Sequence, residues 1–314
     1  MRTNLRFRRE HFTIVQFTDT HWTNFDERDE RTRHVLEAVL ECEKPDMVFF
    51  TGDMLGGADC KDAERGIRQL VEPIEARGLP WTAVMGNHDD EGTLRRDELW
   101  RVMESCAHFV GRRGPRDITG VGNYVLPILS RHGDRPAAFL WGIDSNSYAT
   151  TSIGGWGWIA RDQIAWYVRT AREVRRRWSL APQPMQAIPS LAFFHIPVPE
   201  YDEVWRTQVC YGEKHEEVCA PKINTGFFAA LHEVDEVIGT FVGHEHINDF
   251  WGNLHGIRLC YGRVSGYGGY GKEGFLCGAR LIELWEGVRD FRTWLRLEDG
   301  SPIWSQPEHH PDAS

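Results

Sequence analysis

Five short stretches of this 314-residue chain bring together residue types that bind cations or move protons: Asp19-x-His21, Gly52-Asp53, Gly86-Asn87-His88-Asp89, His195 and Gly243-His244-x-His246. Together they supply two carboxylates, one amide oxygen and several imidazoles, the mixed nitrogen and oxygen donor set that borderline divalent or trivalent metals favour. Within the third stretch, Asn87 offers a neutral amide oxygen, His88 a titratable imidazole, and Asp89 a carboxylate able to orient that imidazole. Taken singly, each stretch has an ordinary structural role: a His after a strand is more often a satisfied turn residue than a ligand, and an Asp after Gly can cap a helix. Their shared position argues otherwise, because each follows a run of apolar residues and so stands at the end of a buried strand.

The elements that would position these residues follow from hydrophobic patterning. Phe12 to Phe17 alternates like a strand and leads into Asp19; a helix is expected from about Glu27 to Glu43, with Val35, Leu36, Val39, Leu40 and Cys42 on its apolar face. Met47 to Phe50 shows no alternation, as in a parallel strand buried on both faces, and leads into Asp53. A second helix, roughly Asp62 to Ala76, precedes the strand Leu79 to Val84 that delivers Asn87 and His88. Right-handed crossovers in this β-α-β-α-β order place all three strand ends on one edge, where open α/β sheets bind ligands.

Farther along, Tyr124 to Leu129 and Ala137 to Asp144 are expected as neighbouring strands of a second sheet, followed by a helix from about Asp162 to Trp178. Leu191 to Phe194 and Val237 to Val242 are further buried strands, ending in His195 and in His244-x-His246, with a short helix near Thr225 to Glu233 between them. The stretch from Tyr201 to Lys222 is polar with Trp, Tyr and Cys inserted, which suggests a lid or specificity loop. No composition shift marks a boundary, so a single domain over 1–299 is expected, with 300–314 as a disordered tail in which His309 and His310 are simply solvated.

Hydrophobic residues make up 41% of the chain and charged residues 26%, the balance of a water-soluble globular protein. A net charge of −10 argues against non-specific binding to nucleic acid or anionic membranes. No apolar stretch reaches the roughly 18 residues of a membrane helix, and no apolar signal core follows the basic start, so a cytoplasmic location is expected. The 7 cysteines are scattered with no Cys-x-x-Cys pair, which fits reduced structural thiols; Cys210 and Cys219 flank one loop and would pair only in an oxidising compartment.

In identity and order the five stretches resemble the calcineurin-like metallophosphoesterases, whose signature is Asp-x-His, Gly-Asp, Gly-Asn-His-Asp/Glu, a His after a strand, and Gly-His-x-His. The flanking Phe194-His195-Ile196-Pro197 and Gly243-His244-Glu245-His246-Ile247-Asn248-Asp249 are most similar to the purple-acid-phosphatase-related branch. The resemblance implies an α/β fold, a four-layer α/β/β/α sandwich of two mixed sheets, and two metal ions (Mn, Fe or Zn) that hydrolyse a small phosphorylated substrate. It implies that Asp19, His21, Asp53 and His246 hold one ion, and that Asp53, Asn87, His195 and His244 hold the other. A metal-bridging hydroxide would be the nucleophile, with His88 as general acid and Asp89 as its orienting partner. Two divalent ions, less two carboxylates and a hydroxide, would leave the site about one unit positive.

The implied activity is that of a phosphomonoesterase, with a phosphodiesterase as the alternative within the same chemistry and a non-catalytic binding scaffold as the alternative outside it. One position departs from the purple enzymes: the residue three after Asp53, a tyrosine ligand in them, is Gly56 here, so His21 would take that place. Asn123, Tyr148, His215, Tyr267 and Tyr270 are candidates for substrate contact, each with a structural role as the alternative. The arginines of 172–177 fit a solvated helix face.

Overall fold

Strands β1 (His11–Phe17), β2 (Met47–Thr51) and β3 (Trp81–Val84) are buried along almost their whole length; the unbroken apolar run of β2 requires this of a strand covered on both faces, whereas β1 buries its alternating Thr13 and Gln16 as well. The computed structural model describes residues 4–24, 26–178 and 188–311. The three strands run parallel, Ile14 beside Met47 and Val48 beside Trp81. They are joined by α1 (Glu27–Glu43) and α2 (Ala63–Glu75). Helix α1 starts in a capping box, in which the Asp26 carboxylate accepts from the Arg28 and Asp29 amides, and ends at Lys44 in the left-handed conformation.

After β3 come α3 (Arg96–Glu104), β4 (Tyr124–Leu129), β5 (Pro136–Gly142), α4 (Arg161–Trp178), β6 (Ser190–Phe193) and α5 (Glu200–Thr207). Then follow β7 (Cys210–Tyr211), α6 (Phe227–Val234), β8 (Val237–Val242), β9 (Trp251–Leu254) and β10 (Ile257–Tyr261). The chain closes with β11 (Gly278–Trp285), β12 (Phe291–Leu297), β13 (Pro302–Ile303) and β14 (Glu308–His309). One sheet has the order β13-β12-β11-β1-β2-β3 and the other β14-β7-β9-β10-β8-β6-β5-β4. Both are mixed: β1, β2 and β3 are parallel in the first, with antiparallel strands on one side of them, and β5, β6, β8 and β10 are parallel in the second, with antiparallel strands on both sides.

The two sheets face each other, with the Phe49 ring of β2 lying flat on Phe193 of β6 at 3.9 Å between centroids. Val39 and Leu40 of α1, Leu70 and Ile74 of α2, and Trp100 of α3 belong to the core of the first sheet. Trp166 and Tyr167 of α4, Tyr201 of α5 and Phe227 of α6 pack with Trp141, Phe194 and Val242 of the second. The result is the α/β/β/α layering that the resemblance implied. Pro127 is tolerated inside β4 because β4 is the last strand of its sheet and needs no amide on its free side.

Four features differ from the sequence expectation. Helix α3 lies in a stretch whose charged residues hide a four-residue buried face, Leu99, Trp100, Val102 and Met103. Helix α5 occupies the start of the segment expected as a loop. The expected disordered tail is folded as far as residue 311: β13 pairs with β12, and β14 pairs with β7. His309 is not a solvated residue, since its ring lies flat on Trp205 at 3.7 Å. Residues 312–314 fall outside the described residues. All seven cysteines are free, Cys210 buried and Cys219 half-buried. No helix among the described residues is long and apolar enough to cross a membrane.

Candidate metal centre

Each parallel strand releases its polar turn at the same edge of the sandwich, so residues far apart in sequence meet there. Beyond β1 and β2 the two turns run side by side, the Asp19 amide donating to the Gly52 carbonyl at 3.1 Å and the His21 amide to the Asp53 carbonyl at 3.0 Å. In the other sheet the Gly243 amide donates to the His195 carbonyl at 3.2 Å. The sheets are tied together by the Asp19 carboxylate, whose oxygens accept from the His244 amide at 3.2 and 3.1 Å.

The backbone is strained at this edge. Asp19, His21, Asp53 and His244 have φ of 54°, 44°, 48° and 81°, a left-handed region that costs a non-glycine residue roughly 1–3 kcal/mol and persists mainly where function imposes it. Gly52, at φ 96°, allows the tight turn before Asp53, but the other two strand-end glycines serve a different need. Gly86 and Gly243 are absent from the left-handed region; a Cβ on Gly86 would lie 2.1 Å from Asp53 Oδ1, and one on Gly243 2.6 Å from Asp19 Oδ2. They make room for the two carboxylates.

The side chains form two groups, Asp19 with His21 and His246, and Asp53 with His195 and His244; within each group the donor atoms lie within 4.8 Å of one another. Asp53 Oδ2 stands between the groups, 3.2 Å from His195 Nε2 and 3.7 Å from His21 Nε2. Asn87 Oδ1 is 3.2 Å from His195 Nε2, and the Nε2 atoms of His21 and His246 are 3.1 Å apart.

This arrangement fits a pair of metal ions. His195 Nδ1 faces the Thr51 carbonyl and His246 Nδ1 the Tyr270 carbonyl, both at 2.8 Å. A carbonyl can only accept, so both Nδ1 atoms carry a proton and Nε2 is the atom each ring turns to the centre, the arrangement that second partners of ligating histidines commonly impose. His244 Nε2 is buried without a hydrogen-bond partner. Burial drives the pKa of His21 down to about 3 and that of His244 well below its usual value, keeping both imidazoles neutral. Burial also opposes charge on His195, yet Asp53 and Asp19 outweigh it and lift its pKa to about 9. Burial pushes Asp19 upward, and the neighbouring imidazoles offset only part of it. Imidazole nitrogens and carboxylates converge on a space that favours positive charge, as the raised His195 shows, with nitrogen and oxygen donors suited to borderline ions.

His88 lies beside these groups without joining either. Its ring centroid is 5.3 Å from that of His21, its amide donates to Asp53 Oδ1 at 2.8 Å, and 39% of its side chain is exposed. Burial opposes its protonation, but Asp53 and Glu91 together raise its pKa above the ordinary imidazole value.

Asp89 does not orient His88. Its carboxylate is buried and accepts from the Leu55 amide at 3.0 Å and the Gly86 amide at 2.7 Å, which holds the turn. Instead Glu91 Oε2 meets His88 Nδ1 at 2.5 Å, because a side chain three residues on returns to the same side of a turn whereas the next one does not. Glu91 Oε1 accepts from the Tyr148 hydroxyl at 2.7 Å, and that hydroxyl accepts from Asn87 Nδ2 at 3.3 Å.

Of the other candidates for substrate contact, Asn123 is buried with both ends of its amide engaged by Thr119, Asp144 and Gln163. The Tyr267 hydroxyl donates to Glu298, and Arg31 lies 3.6 Å above its ring. His215 is taken up by Glu213 and Lys272. Those three are structural, and two tyrosines remain at the rim. Tyr270 lies flat on His246 at 4.0 Å, and Tyr148 stacks on Trp156, whose ring abuts His244 edge-on at 4.3 Å. Arg96, at the start of α3, donates to the Gly86 carbonyl at 2.8 Å and to Asp144 Oδ1 at 3.2 Å, anchoring the His88 turn. Glu91, three residues after His88, carried a local signal; Arg96 and Trp156 arrive through tertiary contacts that no local pattern shows.

A family model described as "Calcineurin-like phosphoesterase" matches residues 12–248, the interval that carries all seven candidate ligands. The chain belongs to the calcineurin-like phosphoesterase family. Within it, the chain is 33% identical to "Probable inactive purple acid phosphatase 29" of Arabidopsis thaliana, over 92% of this chain and 82% of that one. It is 34% identical to "Phosphatase DCR2" of Saccharomyces cerevisiae, over 87% of this chain and 49% of the yeast protein. A dimetal phosphatase from Danio rerio superposes over 90% of this chain and 98% of its own with a TM-score of 0.57, at 14% identity, a likeness of fold. The departure from purple members of the phosphoesterase family has a steric side: a Cβ on Gly56 would lie 3.0 Å from the His21 carbonyl oxygen, so a side chain there would crowd the turn that presents His21.

Proposed function

We propose that the chain is an active dinuclear-metal hydrolase of phosphate esters, acting as a phosphomonoesterase on a small phosphorylated substrate. The observation that carries this reading is the convergence of two donor groups with Asp53 between them. Asp19, His21, Asp53 and His246 would hold one ion, and Asp53, Asn87, His195 and His244 the other, with Mn, Fe and Zn as the ions the donor set suits. Two ions held there supply Lewis-acid polarisation of a phosphoryl oxygen and a nucleophile from water at neutral pH.

The chain's own residues do the remaining work. His88 is partly exposed beside His21 and donates its proton to the ester oxygen as that oxygen departs. The Thr51 and Tyr270 carbonyls keep His195 and His246 in the ligating tautomer. Trp156 packs edge-on against the His244 ring and Tyr270 lies flat on the His246 ring, so each shields one imidazole of the donor set.

A non-catalytic scaffold is the second reading, favoured by the word "inactive" in the name of the Arabidopsis relative. Four left-handed ligand positions and an exposed proton donor weigh against it, since strain of this kind is retained where a site is used. The net charge of −10 supports a small phosphoester over nucleic acid or an anionic membrane surface. Seven free thiols support a reducing, cytoplasmic setting.

The test is a panel of phosphomonoesters and phosphodiesters assayed after loading with Mn, Fe or Zn. Monoester turnover with at least one ion, abolished by chelation, is the expected result. Faster diester turnover would reassign the substrate class, and no turnover with any ion would favour the scaffold.

A further inference from the structure

We infer that Glu91 is the residue that positions His88 as proton donor, with Tyr148 holding Glu91 in place. The inference rests on the phosphoesterase reading above and deepens it.

An imidazole that gives a proton to a leaving group must offer one nitrogen to the substrate and have the other fixed, or the ring turns freely about its last side-chain torsion. His88 Nδ1 is engaged by Glu91 Oε2 at 2.5 Å, so Nε2 is the nitrogen left for the ester. Glu91 is itself fixed by the Tyr148 hydroxyl on Oε1 at 2.7 Å. Tyr148 in turn is held at both ends by the candidate centre: its hydroxyl accepts from the Asn87 amide, and its ring stacks on Trp156, which abuts His244. Two ligand positions and the proton donor therefore share one connected set of contacts.

The neighbouring carboxylates cannot substitute. Asp89 has both oxygens on buried backbone amides, and Asp90 faces Ser147 and Arg96 at 3.2 and 3.5 Å. In the step itself a water-derived hydroxide oxygen bonds to phosphorus while the P–O bond to the ester oxygen breaks, and the electron pair of the broken bond stays on the ester oxygen. That oxygen takes the Nε2 proton, and His88 goes from imidazolium to neutral imidazole while Glu91 remains ionised.

The test compares kcat on glycerol 2-phosphate, whose alkoxide leaves poorly, with kcat on 4-nitrophenyl phosphate, whose phenolate needs little help, with metal content measured alongside. Glu91→Gln is expected to lose roughly 10–100-fold on the glycerol ester, by analogy with the partners that orient metal-bound histidines. It should lose far less on the nitrophenyl ester and keep the wild-type metal content. Tyr148→Phe, which removes one oxygen only, should show the same pattern more weakly. In a His88→Asn background, Glu91→Gln should cost nothing further, because the two act as one unit.

Proton NMR of the metal-free protein gives a readout independent of turnover. A downfield His88 Nδ1–H signal should be lost in Glu91→Gln and kept in Asp89→Asn. Equal losses on the two esters, additive losses in the double variant, or an Nδ1–H signal that survives Glu91→Gln would overturn the positioning role while leaving the phosphoesterase reading intact. A metal-loaded wild type that hydrolyses neither ester would overturn both.

Discussion

His88, Asp89 and Glu91 lie within four residues, yet each bonds to a different part of the protein: Glu91 to an imidazole and a phenol, Asp89 to two buried amides. Removing Asp89 should therefore be a stability defect. Asp89→Ala would leave the Gly86 and Leu55 amides buried without acceptors, at roughly 1–3 kcal/mol each, and urea denaturation should show a loss of about 2–5 kcal/mol. Whatever activity survives should fall equally on alkyl and nitrophenyl esters. A selective loss on the alkyl ester, with stability unchanged, would return the orienting role to Asp89.

At this scale the ligand types were legible because the strand ends carry them in sequence. The partner of His88 was not, because adjacency in sequence says little about which side of a turn a carboxylate faces. Of the strand-end glycines, Gly52 turns the chain at φ 96°, whereas Gly86 and Gly243 respond to carboxylates that come from another strand, which no local pattern shows.

Among the elements, the C-terminal segment changes most between sequence and structure. Its Gly, Ser, Pro and Asp residues resemble a solvated tail, but its contacts reach residues as far as about a hundred positions earlier, which local composition cannot reveal. Besides its two short strands, Gln306 Nε2 donates to the Asp249 carbonyl at 3.0 Å, and Asp249 also holds Arg263 in a buried ion pair at 2.5 Å. The segment thus braces the loop that follows His244-x-His246. Deleting residues 300–314 removes the His309 stack on Trp205 and the Gln306 bonds, and should lower stability by roughly 2–4 kcal/mol. It should also weaken metal binding through His246. An unfolding midpoint unchanged by the deletion would show that the segment is merely attached. Helices α3 and α5 escaped notice for a related reason: at nine and eight residues they are too short for a helical period to stand out from charged flanks.

For the whole molecule, patterning reached the central strands and their shared edge because buried strands here leave apolar runs with polar ends, whereas the four-layer stacking was implied by the family resemblance. Parallel β5, β6, β8 and β10 form the centre of one sheet, and β1–β3 form one end of the other, with β3 at its edge. Stacking those sheets through contacts such as Phe49 on Phe193 brings both sets of ends to one place. What patterning alone could not supply is the tie between sheets, the Asp19 carboxylate on the His244 amide, since it joins residues 225 apart. The central claim is that one carboxylate, Asp53, serves two ions in that shared space. The direct measurement is metal content per chain, by mass spectrometry after loading and desalting, for the wild type and Asp53→Asn. Two ions in the wild type and loss of both together in Asp53→Asn is the predicted result; two ions retained in the variant, or none bound by the wild type, would contradict it.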